Sequence, residues 1–185
     1  MSDLYPEIDR WIIPSAAMAA TVAGVRPAGR RGNESGAFWL GTRAAVSRVT
    51  AVVLPHGPGV EGSPGQWRVA PEVFGAISRW AKPRGLTLLN ILHTHVQDLP
   101  PLLSWADRHR SVRVPGILAV VIGRGGEDAD HHDWGWYVFE KDDYRRLMRA
   151  DLDHRVEIAA DEALEVWGAD SESVWALKTG MTATF

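Results

Sequence analysis

The chain of 185 residues contains no cysteine. This absence excludes disulfide bonds, iron–sulfur clusters, thiolate zinc sites and cysteine nucleophiles. Any metal ion that the protein binds must therefore be held by histidine, aspartate and glutamate side chains.

The sequence also lacks a strong charge of one sign and a long apolar run. Its formal net charge is −3, which gives no reason to expect nucleic acid or an anionic membrane surface as a partner. The longest apolar stretch near the start, residues 11–25, is interrupted by Pro14 and Ser15, so it resembles neither a signal peptide nor a membrane span. We therefore expect a cytoplasmic protein.

What the sequence does contain is the composition of a globular protein. Hydrophobic residues make up 45% of the chain and charged residues 23%, close to the averages for folded domains. At this length we expect one domain over residues 1–185, with its core at about residues 10–140 and a C-terminal helix and strands over 141–185.

The pattern of apolar residues predicts an α/β protein in which strands and helices interleave. Strands are predicted over residues 10–14, 37–43, 45–55, 86–92, 116–123, 134–140, 154–160 and 162–168. Helices are predicted over residues 15–25, with Ser15 as N-cap, and over 70–85, 102–110 and 141–150. Loops rich in glycine and proline, or strongly polar, are predicted at 26–36, 55–66 and 123–133. The 55–66 loop is long for a compact domain, which favours a functional role.

The stretch "ILHTHVQDLPPLLSWAD" directly follows the apolar strand predicted at 86–92. Side chains two apart on a strand point to the same side, so His93 and His95 would share a face. A turn at Pro100–Pro101 followed by a helix can bring Asp107 back to them. Two imidazoles and a carboxylate leave a tetrahedral zinc ion one open position, which is typical of a hydrolytic site. The alternative is two polar residues at the end of a strand, without a metal.

The motif "HTHVQDLPPLLSWAD" resembles that of the JAB/MPN (JAMM) metallopeptidases, which is His-x-His, a short loop, then Ser-x-x-Asp. Two further segments resemble this family: "GNESGAFWLG", with Glu34 ahead of a strand, and "GPG" at residues 57–59 followed by "WRVAPE". The order of elements is similar over residues 10–140. The resemblance implies a single JAB/MPN-like, cytidine-deaminase-like fold, in which helices flank a mixed, curved sheet.

The resemblance also implies roles for five residues. His93, His95 and Asp107 match the zinc ligands, Glu34 matches the general base, and Ser104 matches the serine that helps to stabilise the oxyanion. The alternative for Glu34 is a solvated loop carboxylate, and for Ser104 it is a helix N-cap.

The chain departs from the family pattern at two points. Val96 stands where the family has proline, and the loop before Ser104 is one residue longer than usual. Asp98 is then a spare acid, which we consider a less favourable ligand than Asp107 because it lies too near His95 to turn back.

The function implied by the resemblance is zinc-dependent cleavage at the C-terminus of a ubiquitin-like protein. A bacterial member would remove the modifier from conjugates or process its precursor, in an antiphage conjugation system that also has activating and conjugating enzymes. The loops at 55–66 and 123–133 would grip the substrate. Two alternatives remain open: a processing peptidase for a sulfur-carrier protein, and a catalytically silent scaffold that binds partner subunits.

A second polar segment, "GEDADHHDW", places His131 and His132 among acidic residues. They could attract a metal, but we favour a surface loop. Trp134 and Trp136, which follow at alternate positions of a predicted strand, share one face and are predicted to lie in the core.

Overall fold

The computed structural model describes residues 5–96, 99–128, 130–160 and 163–177. It shows a mixed α/β structure with four α-helices, a ten-stranded sheet and a separate two-stranded hairpin. The helices are α1 (Ser15–Gly29), α2 (Pro71–Ala81), α3 (Trp105–Arg110) and α4 (Arg149–Arg155). The strands are β1 (Arg10–Pro14), β2 (Gly36–Thr42), β3 (Val46–Pro55), β4 (Val60–Ser63), β5 (Gln66–Val69), β6 (Thr87–Thr94), β7 (Leu118–Ile122), β8 (Gly135–Glu140), β9 (Asp143–Arg146), β10 (Val156–Ala159), β11 (Glu165–Ala169) and β12 (Val174–Ala176).

The large sheet is mixed and curled. Its main path runs β10-β1-β3-β2-β6-β7-β8-β9, and β11 pairs with β12 and with the second half of the long strand β3. Strand β6 lies at the centre, antiparallel to β2 and parallel to β7. The prediction of a mixed, curved sheet flanked by helices is thereby confirmed.

The central strands are buried on both faces, as their apolar runs predict. On β2, Phe38 packs in the cluster that includes α2, while Trp39 packs in the cluster that includes α1. The indole N–H of Trp39 donates to Thr21 Oγ1 on α1 at 2.8 Å, which satisfies a polar group with no access to water. Trp134 and Trp136 are buried too, at 3% and 0% exposure, which confirms their prediction as core residues.

The first helix differs from its prediction at both ends. Ser15 is not the N-cap, because the extended residue Pro14 occupies the cap position and no side chain caps the helix. The C-terminal end continues to Gly29 through Pro27, so the predicted 26–36 loop is shorter than expected. This end of the helix packs tightly against a later loop, because a side-chain carbon on Gly29 would lie 1.9 Å from the carbonyl oxygen of Gly125.

The predicted 55–66 loop is also wrong in part, because it contains β4 and the start of β5. These strands form an antiparallel hairpin in which Val60 pairs with Val69 and Ser63 with Gln66. The turn between them uses Gly65 at φ 81°, a conformation that glycine adopts without strain.

The helix predicted over 141–150 is wrong as well. Lys141 and Asp142 have φ values of 50° and 71°, which form a tight turn between β8 and β9. Tyr144 on β9 is only 2% exposed and packs against Phe139 at a ring distance of 5.2 Å. Burial of this aromatic pair favours the hairpin, and α4 begins only at Arg149.

At the C-terminal end, the two predicted strands are present as β10 and β11, and β12 was not predicted. Among the described residues, no helix has both the length and the apolar character needed to cross a bilayer.

Candidate metal centre

The two histidines of the motif lie at the carboxyl end of β6. His93 is paired with Gly36 of β2, and His95 follows the strand directly. The backbone N–H of His95 donates to Ile122 O at 2.9 Å, and its carbonyl accepts from Gly125 N at 2.7 Å. Both residues are buried, at 8% and 9% exposure. The sheet therefore holds both imidazoles in place.

The ring orientation of His95 is set by a hydrogen bond on its far side. Its Nδ1 lies 3.0 Å from Pro100 O. A carbonyl oxygen can only accept, so Nδ1 carries the hydrogen and the neutral ring presents a lone pair on Nε2. An outer contact of this kind is what orients a metal-ligating histidine in other proteins.

Asp107 reaches the histidines through the cap of α3. The Ser104 hydroxyl accepts from the Asp107 N–H at 3.1 Å, and the Ser104 N–H donates to Asp107 Oδ2 at 2.7 Å. This reciprocal capping box turns the carboxylate back toward the start of the helix. Ser104 is thus the N-cap of α3, as the alternative interpretation of this residue predicted.

The distances between the ligand atoms of the three side chains are close to those of a tetrahedral metal site. His93 Nε2 lies 3.3 Å from His95 Nε2 and 3.4 Å from Asp107 Oδ2, and His95 Nε2 lies 3.7 Å from Asp107 Oδ2. A tetrahedral zinc ion with bonds of about 2.0–2.2 Å places its ligand atoms about 3.3–3.6 Å apart. The group can therefore hold a metal ion with little movement.

The electrostatics of the group also suit a cation. Burial alone would raise the pKa of Asp107, but hydrogen bonds with His93, His95 and Ser104 bring it far below its usual value. Burial alone would lower the pKa of His95, but the hydrogen bond with Asp107 and the Pro100 carbonyl raise it. A carboxylate that is held in its charged form beside two imidazoles favours the binding of a cation.

Backbone hydrogen bonds hold Glu34 at a fixed position beside the two histidines. Its neighbour Ser35 is bonded to Thr94, the residue between the two histidines: Thr94 N donates to Ser35 O at 2.8 Å, and Ser35 N donates to Thr94 Oγ1 at 3.1 Å. Glu34 as a whole residue is 5% exposed, so it is not the solvated carboxylate of the alternative interpretation. Burial, with a contribution from the Asp107 charge, raises its pKa despite the opposing effect of His93 and His95.

The hairpin of β4 and β5 also holds Glu34, a role that sequence reasoning missed. The Glu34 N–H donates to Ser63 O at 3.1 Å. A side-chain carbon on Gly62 would lie 2.3 Å from Glu34 O, and one on Gly36 would lie 2.5 Å from the Trp67 ring. The signal was the apolar and polar alternation around Pro64–Gly65, which we interpreted as part of a loop.

The five residues singled out from the sequence meet at one open cavity of about 630 Å³. Glu34, His93, Ser104 and Asp107 line one end of it. His95 joins them through its contacts with His93 and Asp107. Asp98, the spare acid, lies outside the described residues. The arrangement combines three side chains that could hold a metal ion, a buried carboxyl and a hydroxyl, which are groups that metal-assisted hydrolysis uses.

A second group of possible ligands lies on the surface turn at His131–Asp133. Ligand atoms of Asp130, His131 and His132 lie within 4.8 Å of one another. Asp130 is exposed and the two histidines are half-buried. The predicted surface position of His131 and His132 is confirmed.

Comparison with known proteins shows the fold alone. No protein-family model matches the chain, and no curated protein matches it in sequence. A solution structure of a protein from Desulfitobacterium hafniense is similar with a TM-score of 0.59 and 20% identity, covering 84% of this chain and 95% of that one. Another, from Salinibacter ruber, has a TM-score of 0.52 and 19% identity, covering 82% and 93%. Both were structural genomics targets, and the likeness extends over most of each chain.

Proposed function

We propose that this protein is a zinc-dependent peptidase of the JAB/MPN type. One observation carries the proposal: His93, His95 and Asp107 have tetrahedral ligand spacing at one end of a cavity that a buried glutamate also lines. The resemblance of the motif to the JAB/MPN pattern supports the choice of zinc. Cysteine-free ligation by two histidines and a carboxylate is typical of hydrolytic zinc sites.

When bound there, zinc would lower the pKa of a water molecule and polarise the substrate carbonyl. The chain itself supplies the remaining functions. Glu34, whose raised pKa suits a general base, takes a proton and returns it to the leaving amine. The Ser104 hydroxyl, held at the helix cap, donates toward the developing oxyanion. Pro100 orients His95 by accepting its Nδ1 hydrogen.

The proposed substrate is the C-terminal tail of a ubiquitin-like protein, joined to a target or to a precursor extension. The cavity is open, and all four residues of β5 line it. Among the described residues β5 pairs only with β4, so its other edge is free to bind an extended chain.

The test is cleavage of a ubiquitin-like protein fused at its C-terminus to a reporter peptide, followed by intact mass. We expect cleavage at the junction that stops with a chelator and returns with added zinc. The His93→Ala variant should be inactive and lack zinc. Cleavage that continues in chelator would contradict the zinc mechanism, and a zinc-loaded chain that cleaves no fusion would support the scaffold alternative.

A further inference from the structure

The cavity has a second, apolar end that the metal chemistry does not use. Its walls are the half-buried side chains of Trp67, Phe74 and Val112 and the buried side chains of Phe38 and Ile91. The Phe38 ring lies 5.5 Å from that of Trp67 and 5.0 Å from that of Phe74. The core under α2 thus continues into the cavity as an aromatic surface in which Phe38 is fully buried and Trp67 and Phe74 are partly exposed.

The sheet register sets the distance between the two ends. His93 pairs with Gly36, and two residues earlier on the same strand Ile91 pairs with Phe38. Two residues of a strand span about 6.6–6.8 Å. An extended chain that runs over this face of the sheet in the strand direction advances by the same amount, so a substrate bond held at the metal end would place a side chain one or two residues away over the apolar end.

The chemistry of this end defines what it would bind. Half-buried aromatic rings in a concave surface gain most from covering by another apolar group. A charged side chain would lose its hydration there without gaining a partner among the five wall residues, because the charged residues Glu61, Arg68 and Arg110, which also line the cavity, are not part of this wall. A glycine would leave the surface in contact with water.

We propose that the apolar end of the cavity is a side-chain pocket. It selects peptides that carry a large aliphatic or aromatic residue within two positions of the bond to be cleaved. The pocket rests on the proposed function for its role in cleavage, and Phe74 and Trp67 are its specificity-determining residues. We expect a side chain of the peptide substrate to occupy the pocket, because the pocket and the metal group lie in the same cavity.

The experiment measures binding without turnover. Fluorescein-labelled octapeptides that differ at one position (Gly, Leu, Phe or Asp) are titrated into Glu34→Gln protein with and without added zinc, and anisotropy gives Kd. We expect Leu and Phe peptides to bind at least about 10-fold more tightly than Gly and Asp peptides, the usual discrimination of an apolar pocket. In a Phe74→Ala background the preference should fall below about twofold, and Phe74→Leu should restore most of it.

A matched control is Trp80→Ala. Trp80 lies on the same helix and is half-buried, but it packs against Trp167, with ring centroids 4.8 Å apart, and does not line the cavity. This variant should keep the preference. Equal affinity for all four peptides, no binding of any, or an unchanged preference in Phe74→Ala would overturn the pocket. Because this experiment needs no cleavage, it can confirm the pocket even if the protein cleaves no substrate. It can also exclude the pocket even if the protein is a peptidase.

Discussion

Among the described residues, two groups of histidine and aspartate side chains could hold a metal ion, and they are built differently. His93, His95 and Asp107 come from the end of β6 and from α3, and their rings and carboxylate are buried or half-buried. Asp130 and its two neighbouring histidines are consecutive residues of a single surface turn.

The surroundings of the two groups differ as well. In the first group, Pro100 orients His95 and Ser104 orients Asp107. In the second group, Asp130 Oδ1 accepts the backbone N–H of His132 at 2.9 Å, and the positive charge of Arg149 acts on both Asp130 and His131. In both groups the ligand atoms lie close together. Only in the first group do neighbouring residues orient the ligands in a way that favours a cation. We expect only the first group to bind zinc tightly.

The largest expected effect is on zinc content. His93→Ala should lower zinc affinity by more than about 100-fold, since changes to outer contacts alone cost about 10–100-fold. The double variant His131→Ala/His132→Ala should retain about one zinc per chain, as a hydrolytic site with a single metal requires. Elemental analysis after dialysis measures both. Loss of zinc from the double variant, with retention in His93→Ala, would reverse the comparison between the groups.

The next effect is on rate. Glu34→Gln should lower the cleavage rate by about 10²–10⁴-fold, because it removes the general base, while zinc content stays unchanged. Glu127→Gln is the control: this glutamate is about half exposed and pairs with Arg30 on the surface at 3.3 Å, so its loss should leave the rate unchanged. Equal rates for Glu34→Gln and the parent chain would exclude the base role.

A smaller effect is expected at the helix cap. Ser104→Ala should lower the free energy of unfolding by about 1 kcal/mol, because α3 loses its N-cap acceptor. It should also weaken zinc binding by about 10–100-fold, since the cap orients Asp107. Ser104→Thr keeps the hydroxyl and should restore both quantities in denaturant melts and zinc competition. Asp130→Ala removes the analogous acceptor from the other turn and should leave zinc affinity unchanged.

The smallest effect concerns pH. Burial and the neighbouring charges of His132 and Arg149 lower the pKa of His131 below its ordinary value of 6.5. Between the two values the unfolded chain binds more protons, so the free energy of unfolding decreases as the pH falls below 6.5 and levels off below the folded-state pKa. In chelator-treated protein, His131→Gln should show a shallower decrease than the parent chain in urea melts. An identical pH profile would show that the ring is solvated.

Part of the fold follows from local pattern. The strand at 86–92 and the helix that contains Asp107 were both predicted, because apolar runs and turn residues lie close together in sequence. The helix predicted at 141–150 failed for the opposite reason. Its outcome depends on Tyr144 packing against Phe139 and on a turn with positive φ at Lys141 and Asp142, which short-range pattern does not reveal.

The hairpin at 60–69 shows the same limit at the site itself. Its glycine content predicted a loop. In the structure, however, Gly62 of the hairpin must be glycine because the Glu34 carbonyl lies against it, and Gly36 of β2 must be glycine because the Trp67 ring of the hairpin lies against it. Such contacts join segments far apart in sequence. The aromatic pocket formed by Phe38, Trp67 and Phe74 could not be predicted for this reason either.

By itself, the sequence determined which groups are available for metal chemistry and in what order. Without cysteine, only histidine and acidic side chains are left to hold a metal ion, and the period of a strand places His93 and His95 on one side. Only the tertiary structure decided the distances between ligand atoms and the burial of Glu34. Glu34, the two histidines and Asp107 lie apart in the sequence. Three tertiary features bring them together: the pairing of β2 with β6, the cap of α3, and the β4–β5 hairpin. Each of these contacts buries polar or apolar groups that an isolated helix or strand would leave exposed.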